Sequence, residues 1–124
     1  MFVKGYTNDA GTEIILQENI IFKAKEVTVV NLKCAVIPKV DTCVILTPRS
    51  SAAKKGLFIA TCPVDADYCG DIHAIVFNAS DSDVIYNKGE SFCQYVTFNI
   101  VTDTLTVPKK TGRRSAGAFG STDK

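Results

Sequence analysis

The sequence predicts an all-β fold, a sandwich or barrel assembled from many short strands. Short runs rich in β-branched and aromatic residues recur from Ile14 onward, and turn residues separate them. These runs show no helical periodicity. The chain has 124 residues, which is enough for one domain with its own core and too few for a second.

Eight strand-like runs follow one another along the chain. They are EIILQENIIF, EVTVVNLKCAVI, DTCVILT, LFIATCPV, IHAIVFN, DVIYN, SFCQYVTFNIV and DTLTV. One short helix is predicted in SSAAKKG, where Ser50 or Ser51 can cap the first turn and Gly56 can end it. After Val107 the chain is rich in Gly, Ser, Thr and cations, which predicts a mobile tail. We therefore expect a barrel domain over residues 1–108 and a tail over residues 109–124.

Composition and charge narrow the class of protein. Hydrophobic residues make up 46% of the chain, charged residues 22%, and the formal net charge is +1. This balance argues against direct nucleic-acid binding through a general basic surface. No apolar run approaches the length of a membrane span, and the first residues lack the order of a signal peptide, so we expect a soluble intracellular protein that binds no membrane.

The cysteines predict free thiols. There are five of them, an odd number, without a CxxC pair or a Cys/His spacing that would hold zinc. Buried reduced side chains are the ordinary interpretation of such a pattern.

Two segments carry groups that suit binding or catalysis. In TPRSSAAKKG, Arg49 precedes two serines and the start of the predicted helix, a combination that suits an anion; ordinary helix capping explains the serines equally well. In VDADYCGDI, acids and Tyr68 crowd into a short turn before an apolar strand, although carboxylates are costly near an apolar interior. Solvated turn acids remain the alternative there.

Two further segments are less informative alone. KGESFCQYV reads as a turn that leads into a buried strand. The tail GRRSAGAFGSTDK places Phe119 among glycines, where an isolated aromatic ring has nothing local to pack against.

Taken in order, five segments resemble the motifs of the trimeric dUTPases, which hydrolyse dUTP to dUMP and pyrophosphate. They are DAGTEI, PRSSAAKKG, VDADYCGDI, KGESFCQ and RSAGAFGST, and the resemblance extends over residues 10–122. It implies a distorted jelly-roll-like β-barrel of the β-clip type that forms a homotrimer. Each site would combine the PRSS segment of one subunit, the VDADY hairpin of a second and the tail of a third.

The resemblance also implies roles for the hairpin residues. Asp65 matches the catalytic aspartate that deprotonates the water attacking the α-phosphorus, work that a carboxylate performs well when a partly buried site raises its basicity. Tyr68 matches the tyrosine that packs under the deoxyribose and rejects ribonucleotides. Cys62, Val64 and His73 belong to the hairpin whose backbone pairs with the uracil edge, although Cys62 and the following proline depart from the family's glycine and apolar residue.

The remaining implied roles concern the phosphates. Arg49, Ser50 and Ser51 match the segment that grips the triphosphate, and Gln94 matches the glutamine that supports this pocket. In the tail, Arg114 matches an arginine that reaches the γ-phosphate, while Phe119, followed by Gly120, matches the phenylalanine that stacks on uracil. The tail would then close as a lid over bound substrate.

The implied cofactor is Mg²⁺, held by the triphosphate and by waters. One of these waters would lie against Glu13, which stands where the family usually has aspartate. The resulting activity would limit uracil in DNA and supply dUMP for dTMP synthesis.

Two other functions compete with dUTP hydrolysis. The dCTP deaminases share this fold but use a glutamate in the strand after the aspartate, where this chain has Ile75. The second alternative is a nucleotide-binding regulatory protein of the same fold, with weak or no hydrolysis, whose tail closure changes its partner contacts.

Overall fold

The computed structural model describes residues 2–3 and 9–101, and over these the protein is almost entirely β-structure. The elements of this part of the chain are β1 (Phe2–Val3), β2 (Gly11–Ile14), β3 (Ile20–Phe22), β4 (Val27–Asn31), β5 (Thr42–Pro48), α1 (Ser50–Lys54), β6 (Leu57–Ile59), β7 (His73–Asn78), β8 (Val84–Tyr86) and β9 (Cys93–Asn99). The predicted all-β class is therefore confirmed.

The strands form three antiparallel sheets. The largest has the order β1-β2-β9-β5, the second pairs β3 with β8, and the third has the order β4-β7-β6. Strand β7 alternates buried and exposed side chains along its whole length, as expected for a sheet with one face on the core. The longest pairing joins all seven residues of β5 to β9, from Thr42 opposite Asn99 to Pro48 opposite Cys93.

Several predicted elements differ in detail from those observed. The run EIILQENIIF divides into β2 and β3, and LFIATCPV continues as a strand only to Ile59, because its later part turns away and touches β5 through one bridge from Val64 to Val44. Strand β1 was not predicted, and DTLTV lies outside the described residues.

The predicted helix exists, but its predicted cap is wrong. Arg49, in extended conformation, occupies the N-cap position, and it makes no side-chain capping hydrogen bond. Ser50 and Ser51 therefore lie in the first turn with both side chains exposed to solvent. Gly56 follows the helix with a φ of 102°, a conformation that favours glycine and ends the helix as predicted.

An aromatic cluster fills the centre of the core. Phe22 and Phe92 are fully buried with ring centroids 4.9 Å apart, and Tyr86 packs 5.8 Å from Phe92. All three pairs meet at steep or tilted angles, a geometry that aromatic quadrupoles favour. Lys55 places its Nζ 4.8 Å from the Tyr86 ring, which ties the end of α1 to this cluster.

Asn78 is the one fully buried amide side chain among the described residues, and it organises the turn after β7. Its Nδ2 donates to the carbonyl oxygens of Phe22 at 2.9 Å and Ser82 at 2.8 Å. Its Oδ1 accepts from the backbone and the hydroxyl of Ser80. The side chain therefore satisfies polar groups from two segments that are far apart in sequence.

Within the described ranges, no helix has the length and the apolar character needed to cross a membrane. The predicted free thiols are confirmed, since all five cysteines are unpaired. Their expected burial holds fully only for Cys93; Cys34 and Cys43 are half-buried, while Cys62 and Cys69 are exposed.

We predict that Asn78→Ala lowers the free energy of unfolding by about 2–4 kcal/mol, because it removes the hydrogen bonds of this side chain with the carbonyl oxygens of Phe22 and Ser82 and with the backbone N–H of Ser80. Urea denaturation at fixed protein concentration measures this. The control is Asn99→Ala at an exposed position of β9, with an expected change within about 0.5 kcal/mol. Equal effects of the two substitutions would contradict the role given to Asn78.

Candidate functional site

The register of β9 gathers several predicted site residues at one end of the largest sheet. Gln94 lies opposite Glu13 of β2 on one side and opposite Thr47 of β5 on the other. Directly opposed residues of antiparallel strands point to the same face. Glu13 and Gln94 therefore share a face next to Arg49, which follows β5.

Arg49 is fixed from two directions. Its backbone N–H donates to the carbonyl of Phe92 at 2.8 Å, which extends the pairing of β5 with β9 past the strand end. Its Nη1 donates to the carbonyl of Ser91 at 3.1 Å, and its Nε lies 3.6 Å from Oε2 of Glu13. Both side chains of this ion pair are partly exposed, so the pair orients the guanidinium and contributes little to stability.

A cavity of about 440 Å³ opens beside Arg49 and the start of α1. It is lined by Arg49, Ser50, Ser51, Lys54 and Gln94. Two of the five lining side chains are cationic and none is acidic. Such a surface attracts an anion with several negative charges.

Lys54 is a lining residue that the sequence interpretation missed. It lies four residues after Ser50 in α1, and residues with this spacing share one face of a helix. That spacing was visible in PRSSAAKKG once a helix had been predicted there. The ion pair of Glu13 with Arg49 was also missed, and its two residues are far apart in sequence, so no local signal indicated it.

The second group of predicted residues forms a hairpin elsewhere on the chain. Val64 exchanges two backbone hydrogen bonds with Val44, at 3.2 and 2.7 Å, and a tight turn follows. The turn closes through the Tyr68 N–H donating to the Asp65 carbonyl at 3.2 Å, with Asp67 in the left-handed region at a φ of 71°. Asp65 itself is exposed in the single chain.

Tyr68 lies across the end of this turn. Its hydroxyl donates to the Asp71 carbonyl at 2.9 Å, and its ring remains 45% exposed. Gly70 lies beneath it, and a Cβ there would lie 2.6 Å from the Tyr68 hydroxyl, so the ring would have to shift if residue 70 carried a side chain. The segment DADYCG therefore fixes the hydroxyl of Tyr68 and leaves its ring partly exposed to solvent.

The other predicted hairpin residues differ in their exposure. Cys62 is exposed, Val64 is half-buried, and His73 is exposed at the first position of β7. Arg114, Phe119 and Gly120, which carry the predicted lid, lie outside the described residues.

The two groups of site residues do not meet within one chain. Val64 is held beside Val44, near the start of β5, whereas Arg49 follows the end of that strand. Five to six residues of extended chain separate these levels, a distance on the order of 15–20 Å. A single subunit therefore presents two half-sites, one cationic and one acidic and aromatic.

The described residues offer no ready-made metal cage. Within them, no group of three or more His, Cys, Asp or Glu side chains converges on a point that could hold an ion. The carboxylate adjoining the cationic cavity is that of Glu13, and Arg49 already contacts it. A divalent ion at this place would need most of its ligands from a bound phosphate and from water.

Cys93, the residue before Gln94, is not a reactive thiol. Cys93 directly precedes Gln94 but points into the core, and burial raises the pKa of its thiol to about 12. A thiol that stays protonated throughout the neutral range is not a nucleophile.

The fold and these half-sites define an all-β protein that presents a polyphosphate-sized cationic cavity and a separate acidic hairpin. The dUTPase family model matches residues 1–123 of the chain. The deoxyuridine 5'-triphosphate nucleotidohydrolase of Kluyveromyces lactis is 33% identical over 98% of this chain and 84% of its own length. The chain belongs to the dUTPase family, which confirms the family predicted from the motifs.

Two other similarities extend this comparison. The chain is 29% identical, over 92% of its length, to a segment of the Pol polyprotein of Ovine maedi visna related virus, and spans 11% of that polyprotein. The structure of Staphylococcus bacteriophage 80alpha dUTPase G164S mutant with dUpNHpp superimposes with a TM-score of 0.80 at 24% identity, covering 98% of this chain and 90% of that one. The phage structure supports the fold, and the predicted jelly-roll-like architecture is that of the family.

We predict that Gly11→Ala displaces the Gln94 side chain from the cavity, because a Cβ at position 11 would lie 2.3 Å from Gln94 Oε1. The backbone stays unstrained, since Gly11 sits in a regular strand. The measurements are the NMR shift of the Gln94 side-chain amide and the affinity for inorganic pyrophosphate. We expect about 3–10-fold weaker pyrophosphate binding, the loss of one hydrogen bond.

Gln94→Ala and the double variant are the controls. If Gly11 acts only through Gln94, the double variant loses no more affinity than Gln94→Ala alone. Unchanged pyrophosphate binding by Gly11→Ala, with a shifted amide signal, would remove Gln94 from the anion site.

Proposed function

We propose that this chain is a dUTP diphosphatase that hydrolyses dUTP to dUMP and pyrophosphate. The observation that carries the proposal is the cavity lined by Arg49, Ser50, Ser51, Lys54 and Gln94 in a chain that belongs to the dUTPase family. The lining supplies two cationic side chains and several hydrogen-bond donors, and none of the lining residues is acidic. That chemistry suits a triphosphate, which carries about four negative charges.

The active unit we propose is a homotrimer. Within one chain, Asp65 and Arg49 lie too far apart to act on the same triphosphate, since the part of β5 from Val44 to Pro48 separates them. A second copy that brings its hairpin to the first copy's cavity joins the two half-sites. A closed ring of three copies repeats this contact three times and leaves no half-site unused.

In the assembled site, Asp65 acts as general base. Its carboxylate accepts a proton from a water whose oxygen attacks the α-phosphorus, and the bond from that phosphorus to the bridging oxygen breaks as pyrophosphate leaves. Asp65 is exposed in the single chain. Contact with a neighbouring copy excludes solvent from the hairpin and thereby favours proton acceptance by a carboxylate.

The cationic half-site binds the phosphates and orients them for in-line attack. Arg49 is held by Ser91 and Glu13, so its guanidinium is positioned before substrate arrives. Pre-positioned donors need little reorganisation when charge develops on the phosphates. Lys54 adds a second cation on the same helix face as Ser50, and Gln94 donates from β9.

Mg²⁺ is the cofactor we propose. When bound, the ion offsets phosphate charge that would repel an attacking hydroxide. The described residues fit an ion held chiefly by the triphosphate, because they form no cage of their own and Glu13 borders the cavity. In this arrangement Glu13 would hold a water of the ion and would keep its contact with Arg49.

The hairpin selects the sugar and the base. Tyr68, fixed by its hydrogen bond to Asp71 and resting over Gly70, offers a flat face that packs under deoxyribose and leaves no room for a 2′-hydroxyl. The backbone from Cys62 and Val64 to His73 pairs with the uracil edge. His73 acts through its main chain, because its side chain points to solvent.

The tail supplies the third part of the proposed site. Arg114 contacts the γ-phosphate, Phe119 stacks on uracil, and Gly120 permits the close approach. The composition of residues 109–124, with glycines on both sides of one aromatic ring, supports a segment that closes only over bound substrate.

Release of pyrophosphate from dUTP in the presence of Mg²⁺, measured beside the other deoxynucleoside triphosphates, tests this function. Hydrolysis of dUTP is the expected result. Binding of dUTP without pyrophosphate release would favour the regulatory alternative. Ammonia release from dCTP would favour a deaminase, although Ile75 of β7 is apolar and cannot carry the proton that this reaction needs.

We predict that Asp65→Asn lowers kcat for dUTP by roughly a hundredfold to ten-thousandfold, the usual effect of removing a general base. Affinity for dUTP survives, because the contacts of the cationic half-site remain. Steady-state kinetics and equilibrium binding measure the two quantities. Asp67→Asn in the same turn is the control, since asparagine also accepts the left-handed conformation found there. If only the control lost activity, the base would be Asp67.

Removal of residues 109–124 is predicted to leave the thermal midpoint nearly unchanged and to reduce kcat/KM for dUTP sharply. In the full-length chain, Arg114→Ala costs roughly 1.5–3 kcal/mol of transition-state stabilisation through a lost charge-assisted hydrogen bond. Phe119→Ala costs about 1–3 kcal/mol through lost stacking. Both act through one closure step, so their effects combine less than additively. Equal kcat/KM for truncated and full-length protein would eliminate the lid.

A further inference from the structure

The hairpin that carries Asp65 and Tyr68 is linked to the end of β4 at Asp71. The Tyr68 hydroxyl donates to the backbone carbonyl of Asp71 at 2.9 Å, while the Asp71 carboxylate accepts from Nδ2 of Asn31 at 3.1 Å. Asn31 is the last residue of β4 and stands 40 positions earlier in the chain. Asp71 therefore connects the Tyr68 ring to a strand that lies outside both half-sites.

The orientation of the Asn31 amide is determined by its two partners. Its Oδ1 accepts from the backbone N–H of Lys33 at 2.8 Å, so its Nδ2 faces the Asp71 carboxylate. A backbone N–H can only donate and an ionised carboxylate can only accept, so the reverse orientation would leave both partners without their bond. Asn31 is therefore a fixed donor to Asp71.

Lys33 shows that this arrangement has an energetic cost. Its φ is 57°, in the left-handed region that residues other than glycine adopt infrequently. Its N–H is held by Asn31, and its Nζ lies 2.8 Å from Oε2 of Glu18. Glu18, which bonds the ammonium directly, raises the pKa of Lys33, and the Asp71 carboxylate adds to this effect. Backbone strain that the surroundings hold in place is a feature of segments that position functional groups.

The carbonyl that holds the Tyr68 hydroxyl is restrained from both sides. It shares one planar peptide group with the N–H of Ile72, which donates to the carbonyl of Cys34 at 2.8 Å. That bond turns the Asp71 carbonyl the opposite way, towards Tyr68. The peptide group can still pivot about this bond, and the hydrogen bond from Asn31 restrains it at the Asp71 side chain.

We propose that Asn31 and Asp71 are positioning residues for Tyr68 and that their hydrogen bond sets how strictly the site excludes a 2′-hydroxyl. The inference rests on the proposed function, in which the Tyr68 ring packs under deoxyribose. The ring is 45% exposed and its hydroxyl is anchored on Asp71, so a displaced Asp71 carbonyl lets the ring tilt. A displacement of about 1 Å in a group that positions substrate can change a rate by up to about a hundredfold.

Exchange of the two side-chain groups tests this inference in the full-length chain. Asn31→Asp keeps the acceptor for the Lys33 N–H but replaces the donor to Asp71 by a second carboxylate. The exchange variant, Asn31→Asp with Asp71→Asn, restores one donor and one acceptor at the same two positions and the net charge of the wild type. Both side chains are exposed and each substitution preserves their size. The control is Asn99→Asp, which adds the same charge at an exposed position of β9.

The readout is the ratio of kcat/KM for dUTP to kcat/KM for UTP. We expect this ratio to fall about 3–10-fold in Asn31→Asp, the effect of losing one hydrogen bond, mainly through faster UTP hydrolysis. The exchange variant should return to within about twofold of the wild type, and Asn99→Asp should not change the ratio. Tyr68→Phe lacks the anchored hydroxyl, so it should reproduce the fall and add nothing when combined with Asn31→Asp.

An unchanged ratio in Asn31→Asp would overturn the inference, as would an exchange variant no better than Asn31→Asp or an equal fall in Asn99→Asp. A merely structural role of Asn31 would lower the activity towards both nucleotides and leave their ratio unchanged. Should Asn31→Asp fail to fold, Asn31→Ser decides, because its shorter side chain keeps an acceptor near the Lys33 N–H but cannot reach Asp71.

NMR signals of the Tyr68 ring separate this inference from the proposed function, because they need no catalysis. We expect them to shift in Asn31→Asp and to return in the exchange variant. This result together with a wild type that does not hydrolyse dUTP would overturn the proposed function and support the positioning role. Hydrolysis of dUTP by every variant, with an unchanged ratio and unchanged ring signals, would overturn the positioning role and leave the proposed function standing.

Discussion

The pairing of β5 with β9 over seven residues is the constraint on which the site depends. It fixes Gln94 opposite Thr47 and lets β2 add Glu13 on the other side of Gln94. It also places Arg49 at the start of α1, where the backbone N–H of Arg49 donates to the carbonyl oxygen of Phe92. Because every side chain alternates between faces, a slip of one residue would turn Gln94 into the core and Cys93 outward.

The same strand separates the two groups of site residues within one chain. Near its start β5 holds the hairpin through the bridge from Val44 to Val64, and its end leads to Arg49. A rigid strand cannot bring its two ends together, so the acidic and cationic groups of one chain stay apart.

The outer surface of the β4-β7-β6 sheet departs from the usual pattern of a sheet with one face on the core. A sheet with one face on the core usually has a polar outer face, and the β4 and β7 strands do alternate in burial as expected. Their outward residues are apolar nonetheless.

The sequence alone determined the all-β class, the short helix in PRSSAAKKG and the family, because strand propensity, Gly56 and the order of five motifs are local properties of the chain. It also indicated Arg49, Ser50, Ser51, Gln94 and Asp65 as residues of interest. Local patterns gave the wrong helix cap. A serine caps a helix only if it occupies the N-cap position, and the end of β5 places Arg49 at that position instead.

Tertiary structure decided the contacts between residues that are distant in sequence. The Glu13–Arg49 pair and the distance between the two half-sites follow from strand register, which joins residues 20 or more positions apart. Register is set by the packing of one sheet face on the core. For that reason the sequence indicated which residues form the site, and the fold decided which of them one chain can bring together.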